Sequence, residues 1–337
     1  MLIRKLLIVC SVVIIFADAS GVSSGAENPK KVRLAYAGWA TGTAVAYVGV
    51  DSGLFKKHGL EIEEVPLRDT LSAGIHSLLG VEILIGFGNP LAILQPVLGG
   101  ADIAFLGAHV SFDNYGMGVN SSVSLVRDLK GKKIGVSALG SRSDLIARVI
   151  LRRAGLDPSR DVEVVAAGLS PTRVLAVSKN LIQGAPLSED VATEAKKLGI
   201  KILEVKAVPV VTELLMSTRS FIKRDEEAVR RFMKGYAAAI HFFVSHREDS
   251  LSILKKYFPN DQGGTVDAMY DSFAAQLRPL PELNNEAIQA LVDVGAAVNQ
   301  RSKSKSLKPG DIIDPRFLDE LKGSKFLKDL YTEKVSL

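Results

Sequence analysis

Residues 136–150 read VSALGSRSDLIARVI, and this stretch combines residue types that can hold an anion. Residues 133–137 have the pattern of a strand, and a Gly- and Ser-rich turn separates them from a stretch with helical periodicity. Unpaired N–H groups and the helix dipole favour negative charge at a helix N-terminus. Ser141 and Ser143 can add hydroxyl groups, and Arg142 can add a charged, planar fork for a carboxylate, sulfonate or phosphonate. The alternatives are that the stretch is only a capped helix and that Arg142 points to solvent.

The turn after the first predicted strand carries a second group of candidates. Trp39, the only tryptophan of the chain, can stack on a ligand ring or shield an anion from water, or it can pack under its own loop. Thr41 and Thr43 follow it. Their hydroxyl groups can cap the next helix, donate to a ligand, or do both.

Three further sites lie at predicted strand ends. Gly88 and Asn89 follow the third predicted strand, where the Asn89 amide offers a donor and an acceptor but can also simply cap the helix that starts at Pro90. His109 follows the fourth strand. Ala185 lies in a Gly-Ala-Pro segment that is expected to end a strand of the second half, where it would contribute backbone groups and shape.

The motifs of common enzyme classes are incomplete. Residues 21–25 match the Gly-x-Ser-x-Gly pattern but do not lie between a strand and a helix. Residues 131–133 lack the Ser or Thr and the upstream Gly of a phosphate-binding loop. The five histidines form no His-x-x-x-His pair, so neither a zinc site nor any other metal, cofactor or catalytic residue is predicted.

The N-terminus has the features of an export signal. Arg4 and Lys5 form a basic start, residues 6–16 form an apolar segment, and small residues precede possible cleavage points at Ala19 and Ala26. The apolar segment is too short for an ordinary membrane span of roughly 20 residues. We therefore expect residues 1–26 to be a signal peptide and the mature protein to be periplasmic or otherwise extracytoplasmic, without stable membrane insertion.

Composition and charge exclude several classes of function. Cys10, the only cysteine, lies inside the expected signal, which argues against disulfides, thiolate metal sites and a cysteine nucleophile in the mature protein. The chain has 337 residues, 47% of them hydrophobic, and a formal charge of +5. This length favours two folding units. The basic residues are spread out, so nucleic-acid binding is not predicted.

The hydrophobic pattern predicts two successive α/β units. Strand patterns at residues 32–36, 60–65, 82–87 and 101–106 alternate with helical patterns at residues 44–55, 69–79 and 91–98. This order predicts a parallel sheet with helices on both faces. Residues 108–124 lose periodicity and are interpreted as a crossing. A second series has strand patterns at 133–137, 162–166, 181–184 and 200–205. Residues 212–217 are strand-like and are interpreted as a second crossing. From residue 225 onward the pattern is almost wholly helical.

With these residues placed, the sequence resembles the substrate-binding proteins of ABC importers of the nitrate, sulfonate and taurine type, which are related to proteins that bind thiamine-pyrimidine precursors. The resemblance rests on VRLAYAGWATGTAVAYVGVDSGLFKKHGLEIEEV and DLKGKKIGVSALGSRSDLIARVILRRAGLDPSRDVEVV, residues 32–65 and 128–165. The chain departs from the family pattern at LLGVEILIGFGNP, GMGVNSSVSLV and NLIQGAPLS. These departures lie near the expected cleft, so the ligand identity stays open.

The resemblance implies a two-lobed α/β fold of the periplasmic binding protein type II, in which each lobe has a mainly parallel sheet flanked by helices. Lobe 1 would comprise residues 31–112 and 213–337 with helical C-terminal elements, and lobe 2 residues 113–212. The chain would be a monomer without catalytic activity that binds a small anionic (sulfonate-, carboxylate- or nitrate-like) or heteroaromatic molecule and delivers it to an ABC permease and its ATPase. The alternatives are a ligand-binding module for a membrane sensor and a pyrimidine-precursor enzyme.

Overall fold

The computed structural model describes residues 29–36, 40–66, 85–259, 264–298 and 307–332. The expected signal peptide (residues 1–26), Trp39 and the helix expected at residues 69–79 lie outside the described residues. Strands in the described part are β1 (Lys30–Tyr36), β2 (Leu60–Pro66), β3 (Ile85–Gly88), β4 (Ile103–Asp113), β5 (Tyr115–Val119), β6 (Lys133–Val136), β7 (Glu163–Ala166), β8 (Gly184–Ser188), β9 (Lys201–Glu204) and β10 (Val208–Thr218).

Helices connect and follow these strands. In chain order they are α1 (Thr41–Asp51), α2 (Leu54–Lys57), α3 (Pro90–Leu98), α4 (Arg142–Arg153), α5 (Ser170–Ser178), α6 (Glu189–Lys197), α7 (Arg219–Arg224), α8 (Glu226–Ser245), α9 (Arg247–Tyr257), α10 (Thr265–Gln276), α11 (Asn285–Val298), α12 (Pro309–Ile312), α13 (Arg316–Lys322) and α14 (Lys325–Thr332). None of the described helices combines the length and the apolar composition that a membrane span requires.

The described strands form two five-stranded sheets, which we call sheet 1 and sheet 2. Sheet 1 has the order β2-β1-β3-β10-β4, and sheet 2 has the order β7-β6-β8-β5-β9. Within each sheet, the strands that alternate with helices are parallel, and the strands next to the crossings are antiparallel. The α/β class and the two sheets flanked by helices agree with the sequence prediction.

The two crossings are built from strand rather than loop. β4 passes into β5 with only Asn114 between them, and β9 passes into β10 through residues 205–207. Residues 108–124, interpreted from the sequence as a crossing, do contain the first crossing, but most of them lie in β4 and β5 rather than in a loop. Its glycines belong to β5 because neighbouring side chains pack against the backbone there: a Cβ on Gly118 would lie 2.5 Å from Leu187 Cδ1.

One hydrophobic cluster spans both sheets. It contains buried residues of sheet 1 such as Phe105, residues of β5 and α4 such as Met117 and Ile150, and residues of α11 such as Leu291. Helix α11 contacts both α3 and α4. Separate clusters cover the opposite faces of sheet 1 and sheet 2. The C-terminal helix α11 therefore shares a core with both units.

Charged residues reinforce the packing of α11 on α4. The Arg152 guanidinium donates two hydrogen bonds to the Asp293 carboxylate, and the second of these, from Nη2 to Oδ1, is 2.7 Å long. Arg153 pairs in the same way with Glu286, with a Nε–Oε1 distance of 2.6 Å. Paired forks of this kind fix orientation as well as contributing attraction. They hold α11 in register along α4.

Replacing Leu291 by Ala is expected to lower the free energy of unfolding by about 2–5 kcal/mol, because the change leaves a cavity in the shared cluster. Val298 on the same helix is 46% exposed, and Val298→Ala is expected to change stability by less than about 0.5 kcal/mol. Urea unfolding followed by circular dichroism measures both variants. Two separate transitions, of which Leu291→Ala shifts only one, would contradict a core shared by the two sheets.

Candidate functional site

A buried carboxylate occupies the N-terminus of α1, where it contacts the first turn of that helix. Glu213 of β10 is only 2% exposed. Its Oε2 accepts a hydrogen bond from the Gly42 N–H at 2.5 Å, and its Oε1 accepts one from Thr43 Oγ1 at 2.9 Å. Negative charge at this position is favoured by the helix dipole and by the unpaired N–H groups of the first turn. The anion-holding end of α1 is therefore filled by the protein itself.

His109 and Tyr236 complete the cluster around Gly42. The His109 Nε2 and Tyr236 hydroxyl lie 2.7 Å apart, and the same hydroxyl donates to the Gly42 carbonyl at 3.2 Å. This arrangement assigns the Nε2 proton to His109, because the tyrosine uses its own proton on Gly42. A Cβ at Gly42 would lie 2.5 Å from Glu213 Oε2 and 2.9 Å from His109 Cδ2. Only glycine fits where these groups meet.

Burial shifts the titration of all three side chains. It raises the pKa of Glu213 to about 7, although the hydrogen bonds from Gly42 and Thr43 oppose this rise. It lowers the pKa of His109 to about 4 and raises the pKa of Tyr236 well above its ordinary value. In the described part of the chain no Lys or Arg pairs with Glu213. The cluster therefore carries either one buried negative charge or none.

Thr41 and Thr43 are both buried in this turn. The residue that caps α1 is Ala40, which provides no side-chain cap, and the Thr43 hydroxyl donates to Glu213. The capping role considered for the two threonines is therefore not observed. The predicted contact of Thr41, Thr43 and His109 with a ligand stays a prediction.

Asn89 and Gly88 lie at the end of β3. Asn89 is exposed and caps α3, with Oδ1 accepting from the N–H of Leu91 at 3.0 Å and of Ala92 at 3.4 Å. Its Nδ2 group has no hydrogen-bond partner among the described residues. Gly88 is buried and pairs with Leu214 of β10. Asn89 is therefore both a helix cap and a side chain with a donor to spare.

The serine turn before α4 is a helix N-terminus, as the sequence predicts. Ser141 is the N-cap, and its Oγ accepts from the Asp144 N–H at 3.4 Å. The Ser143 Oγ accepts from the Ser137 N–H at 2.8 Å and lies 3.0 Å from the hydroxyls of both Ser137 and Ser141. The Ser143 side chain is buried. The hydroxyl groups thus tie the end of β6 to the start of α4.

Asp144 takes part of the anion-binding capacity of the same turn. Its Oδ2 accepts from the Gly140 N–H at 2.9 Å, and its Oδ1 accepts from Arg148 Nε at 2.8 Å, with both charged side chains at most 2% exposed. Gly140 has a φ of +84°, which favours glycine. The N–H groups of Arg142 and Ser143 have no acceptor in the described part of the chain. These two N–H groups are therefore left without an acceptor from the described part of the protein.

Arg142 binds another part of the protein. Its Nε and Nη2 lie 2.6 Å from the two carboxylate oxygens of Asp113 at the end of β4, and Nη2 also donates to Ser111 Oγ at 2.8 Å. The fork expected to face a ligand or the solvent therefore bridges α4 and the first crossing. Its role as a ligand contact stays a prediction, with most of its positive charge already balanced by Asp113.

Ala185 is not at a strand end. The prediction of a strand over residues 181–184 was displaced, since β8 begins at Gly184 and Ala185 pairs with Gly118 of β5. The error arises because the Gly and Pro beside it resemble a turn, whereas Gly184 sits close to Leu129 and Ile134 side chains. The backbone of Ala185 lies within the sheet and its side chain is fully buried.

Glu213 and Arg173 are two of the buried charged residues that the sequence analysis does not single out. Glu213 stands alone in the apolar run VPVVTELLM, and Arg173 lies in the helical run SPTRVLAVS. A single charge at a position that the periodicity places inside is a usable signal, because burying a charge is costly unless it is compensated. In the described residues, no group of three or more His, Cys, Asp or Glu side chains could hold a metal ion.

Comparison with known proteins gives a consistent family. A family model described as NMT1/THI5 like matches residues 40–250. A Brucella abortus protein, provisionally named a binding protein, is 27% identical over 237 residues, which are 68% of this chain and 72% of the relative. This agrees with the resemblance carried by residues 32–65 and 128–165.

Solved structures share the fold. The periplasmic sulfonate-binding protein SsuA from Methylobacillus flagellatus superposes with a TM-score of 0.52 at 18% identity, covering 91% of this chain and 96% of that one. The periplasmic nitrate-binding protein NrtA from Synechocystis gives a TM-score of 0.50 at 11% identity, covering 90% and 91%. At these identities the likeness concerns the two-lobed fold of periplasmic binding proteins.

Replacing Glu213 by Gln should remove a pH-dependent loss of stability. The folded protein holds the Glu213 proton with a pKa of about 7, above the ordinary 4.5. The stability linked to this proton is therefore fully present below about pH 4.5 and is lost as the pH rises through about 7. Between these two pH values the free energy of unfolding of the wild type should therefore fall by about 3 kcal/mol relative to that of Glu213→Gln.

Chemical denaturation at a series of pH values measures this gap. His109 titrates in the opposite sense, since its lowered pKa removes stability as the pH falls from about 6.5 to about 4. Its contribution is common to both proteins and cancels in the difference. Glu194, which is 68% exposed, provides the surface control Glu194→Gln, which removes a carboxylate outside this cluster. A constant gap for Glu213→Gln would show that Glu213 does not titrate in this range.

Proposed function

The chain belongs to the NMT1/THI5-like family, and on that basis we propose that it is an extracytoplasmic solute-binding protein that delivers a small molecule to an ABC importer. The observation that carries this proposal is the meeting of the two units at their helix N-termini. A Cβ on Gly140, in the turn before α4, would lie 3.2 Å from Leu91 Cδ1 in the first turn of α3. Open α/β sheets bind ligands at this edge, outside the carboxyl ends of their parallel strands.

The proposed lobes follow the two sheets. Lobe 1 comprises residues 31–112 and 213–337, and lobe 2 comprises residues 113–212. The crossings of the described chain, at Asn114 and at residues 205–207, are the proposed hinge. Short segments at the ends of elements commonly absorb the backbone rotations of domain closure. A ligand that contacts both lobes would favour the closed form by its additional contacts in that form.

The proposed ligand is small and either anionic or heteroaromatic. In lobe 2 the free N–H groups of Arg142 and Ser143 provide donors at the positive end of α4. In lobe 1 Asn89 provides an amide at the start of α3, and Trp39 is proposed to contact the other end of the ligand. Sulfonates, carboxylates and nitrate match the donors, and a pyrimidine ring matches an aromatic side chain.

The chain is proposed to act without catalysis. The Glu213, His109 and Tyr236 side chains, whose titration is strongly shifted, are at most 7% exposed and hydrogen-bond within the protein. A general base must reach the proton that it abstracts. This cluster is enclosed by sheet 1, α1 and α8, so it supports the turn before α1 and does not meet a reacting molecule.

Ligand binding should be visible as thermal stabilisation and as a change in the fluorescence of Trp39. The purified mature protein is titrated with a panel of sulfonates, carboxylates, nitrate and pyrimidines. A ligand at 100 times its Kd should add about 2.7 kcal/mol of stability. Because Trp39 is the only tryptophan, its emission should change over the same concentration range. A complete panel without either response would contradict the proposed function.

A single variant tests the place of lobe 2 in this binding. Ser143→Ala removes the hydroxyl group that contacts Ser137 and Ser141, and it should weaken binding about tenfold without unfolding the protein. Ser178→Ala, at the C-terminal end of α5 in the same unit, is the control and should bind as the wild type does. Circular dichroism confirms folding. Equal affinities of Ser143→Ala and the wild type would remove the serine turn from the proposed site.

A further inference from the structure

Two arginines are buried in the second unit, and only one of them has a counter-charge. Arg148 is 2% exposed and is paired with the fully buried Asp144. Arg173 is 3% exposed, and it has no carboxylate partner among the described residues. A buried cation without an anionic partner is costly, because the protein interior solvates a charge less well than water does. Burial accordingly lowers the pKa of Arg173.

The neutral groups around Arg173 place it at the ligand edge of sheet 2. Its Nη1 donates to the Gly168 carbonyl at 3.0 Å, beyond the end of β7, and its Nη2 donates to the Pro186 carbonyl of β8 at 3.3 Å. In the sheet order, β6 lies between β7 and β8. The guanidinium therefore spans the carboxyl end of β6, the strand that leads into the serine turn.

Ser170 connects this buried charge to the surface. Its hydroxyl accepts from Arg173 Nη2 at 3.0 Å, which leaves its own proton to be donated elsewhere. Ser170 is half-buried at the start of α5, and Gly168, Leu169 and Thr172 around it are exposed. The N–H groups of Ser170 and Thr172 have no acceptor in the described residues. Three donors thus converge at a helix N-terminus that is backed by a positive charge.

A second observation separates this site from an ordinary helix end. The Arg173 Nε is buried and has no hydrogen-bond partner. Among the described residues the guanidinium therefore makes three hydrogen bonds with its five N–H groups, and all three acceptors are neutral. Arg142, the arginine that the sequence suggested for this purpose, is already paired with Asp113. Arg173 is the buried positive charge of this edge that lacks an internal anion.

We propose that the N-terminus of α5, with Ser170 as the donor and Arg173 as the buried charge behind it, binds the oxyanion group of the solute. The ligand class is a sulfonate, carboxylate or similar oxyanion. The solute supplies the counter-charge that Arg173 lacks within the protein. Because Arg173 contacts the Ser170 hydroxyl, it acts through Ser170 as a positioning residue. This inference rests on the proposed solute-binding function and specifies which end of the solute lobe 2 recognises.

The test uses the mature protein with sodium methanesulfonate, sodium sulfate and sodium acetate as probes, at constant ionic strength set with sodium chloride. The wild type should show a saturable rise in melting temperature with at least one probe. Arg173→Met, which has a similar length and no charge, should keep or raise the melting temperature without probe and should lose the response. Ser170→Ala should keep the response with an affinity about tenfold lower, and Arg173→Lys should retain part of it.

Two control variants make the result specific. Arg148→Met should lower the melting temperature without probe, because it leaves Asp144 buried and unpaired, in contrast to Arg173→Met. Arg160, 86% exposed on the same unit, gives Arg160→Met, which should respond to the probes as the wild type does. If Arg173→Met does not fold, Arg173→Lys and Ser170→Ala still decide the question.

The outcomes separate this inference from the function on which it rests. A wild-type response that persists unchanged in Arg173→Met and Ser170→Ala would overturn the inference while leaving solute binding intact. A wild type that responds to organic solutes but to none of the three anions would do the same. A wild type that responds to no solute and no anion would overturn both.

Discussion

The Glu213 carboxylate at the N-terminus of α1 is the interaction on which the first sheet's ligand edge depends. It joins β10, a strand of the return crossing, to the first turn of α1, and Gly42 is fixed by it from one side and by Tyr236 from the other. His109 of β4 extends the same network across the neighbouring strand. Because each of these groups is buried, losing one would leave the others without partners, which costs more than the bond itself.

The two units differ in the sign of the buried side chain that has no counter-charge. In sheet 1 a buried carboxylate fills the helix end that could have taken a ligand anion, and no described Lys or Arg balances it. In sheet 2 Asp144 balances Arg148, Asp113 balances Arg142, and Arg173 is left without a carboxylate. The buried charge that lacks an internal counter-charge is therefore negative or absent in the first unit and positive in the second.

Residue patterns predicted several features that depend on local rules. Most of the order of strands and helices, the α/β class and a helix start in the serine turn follow from periodicity and capping, which act over a few residues. The exceptions have local causes too. Glycines in β5 and the Gly-Ala-Pro segment of β8 resemble turns, but here they make room for Leu187, Leu129 and Ile134 from other elements. The family resemblance, carried by residues 32–65 and 128–165, was confirmed by the family match over residues 40–250.

The sequence by itself determined most of the strand and helix segments, that two α/β units follow one another, and that the serine turn stands at the carboxyl end of β6. Tertiary structure alone decided which charges are free. Arg142 and Asp113 are 29 residues apart, Gly42 and Glu213 are 171 apart, and Arg173 contacts one carbonyl beyond β7 and another within β8. Pairing over such separations depends on how sheets and helices pack, and no local preference encodes it. For that reason the arginine that stands out in the sequence is neutralised, and one hidden in a helix is not.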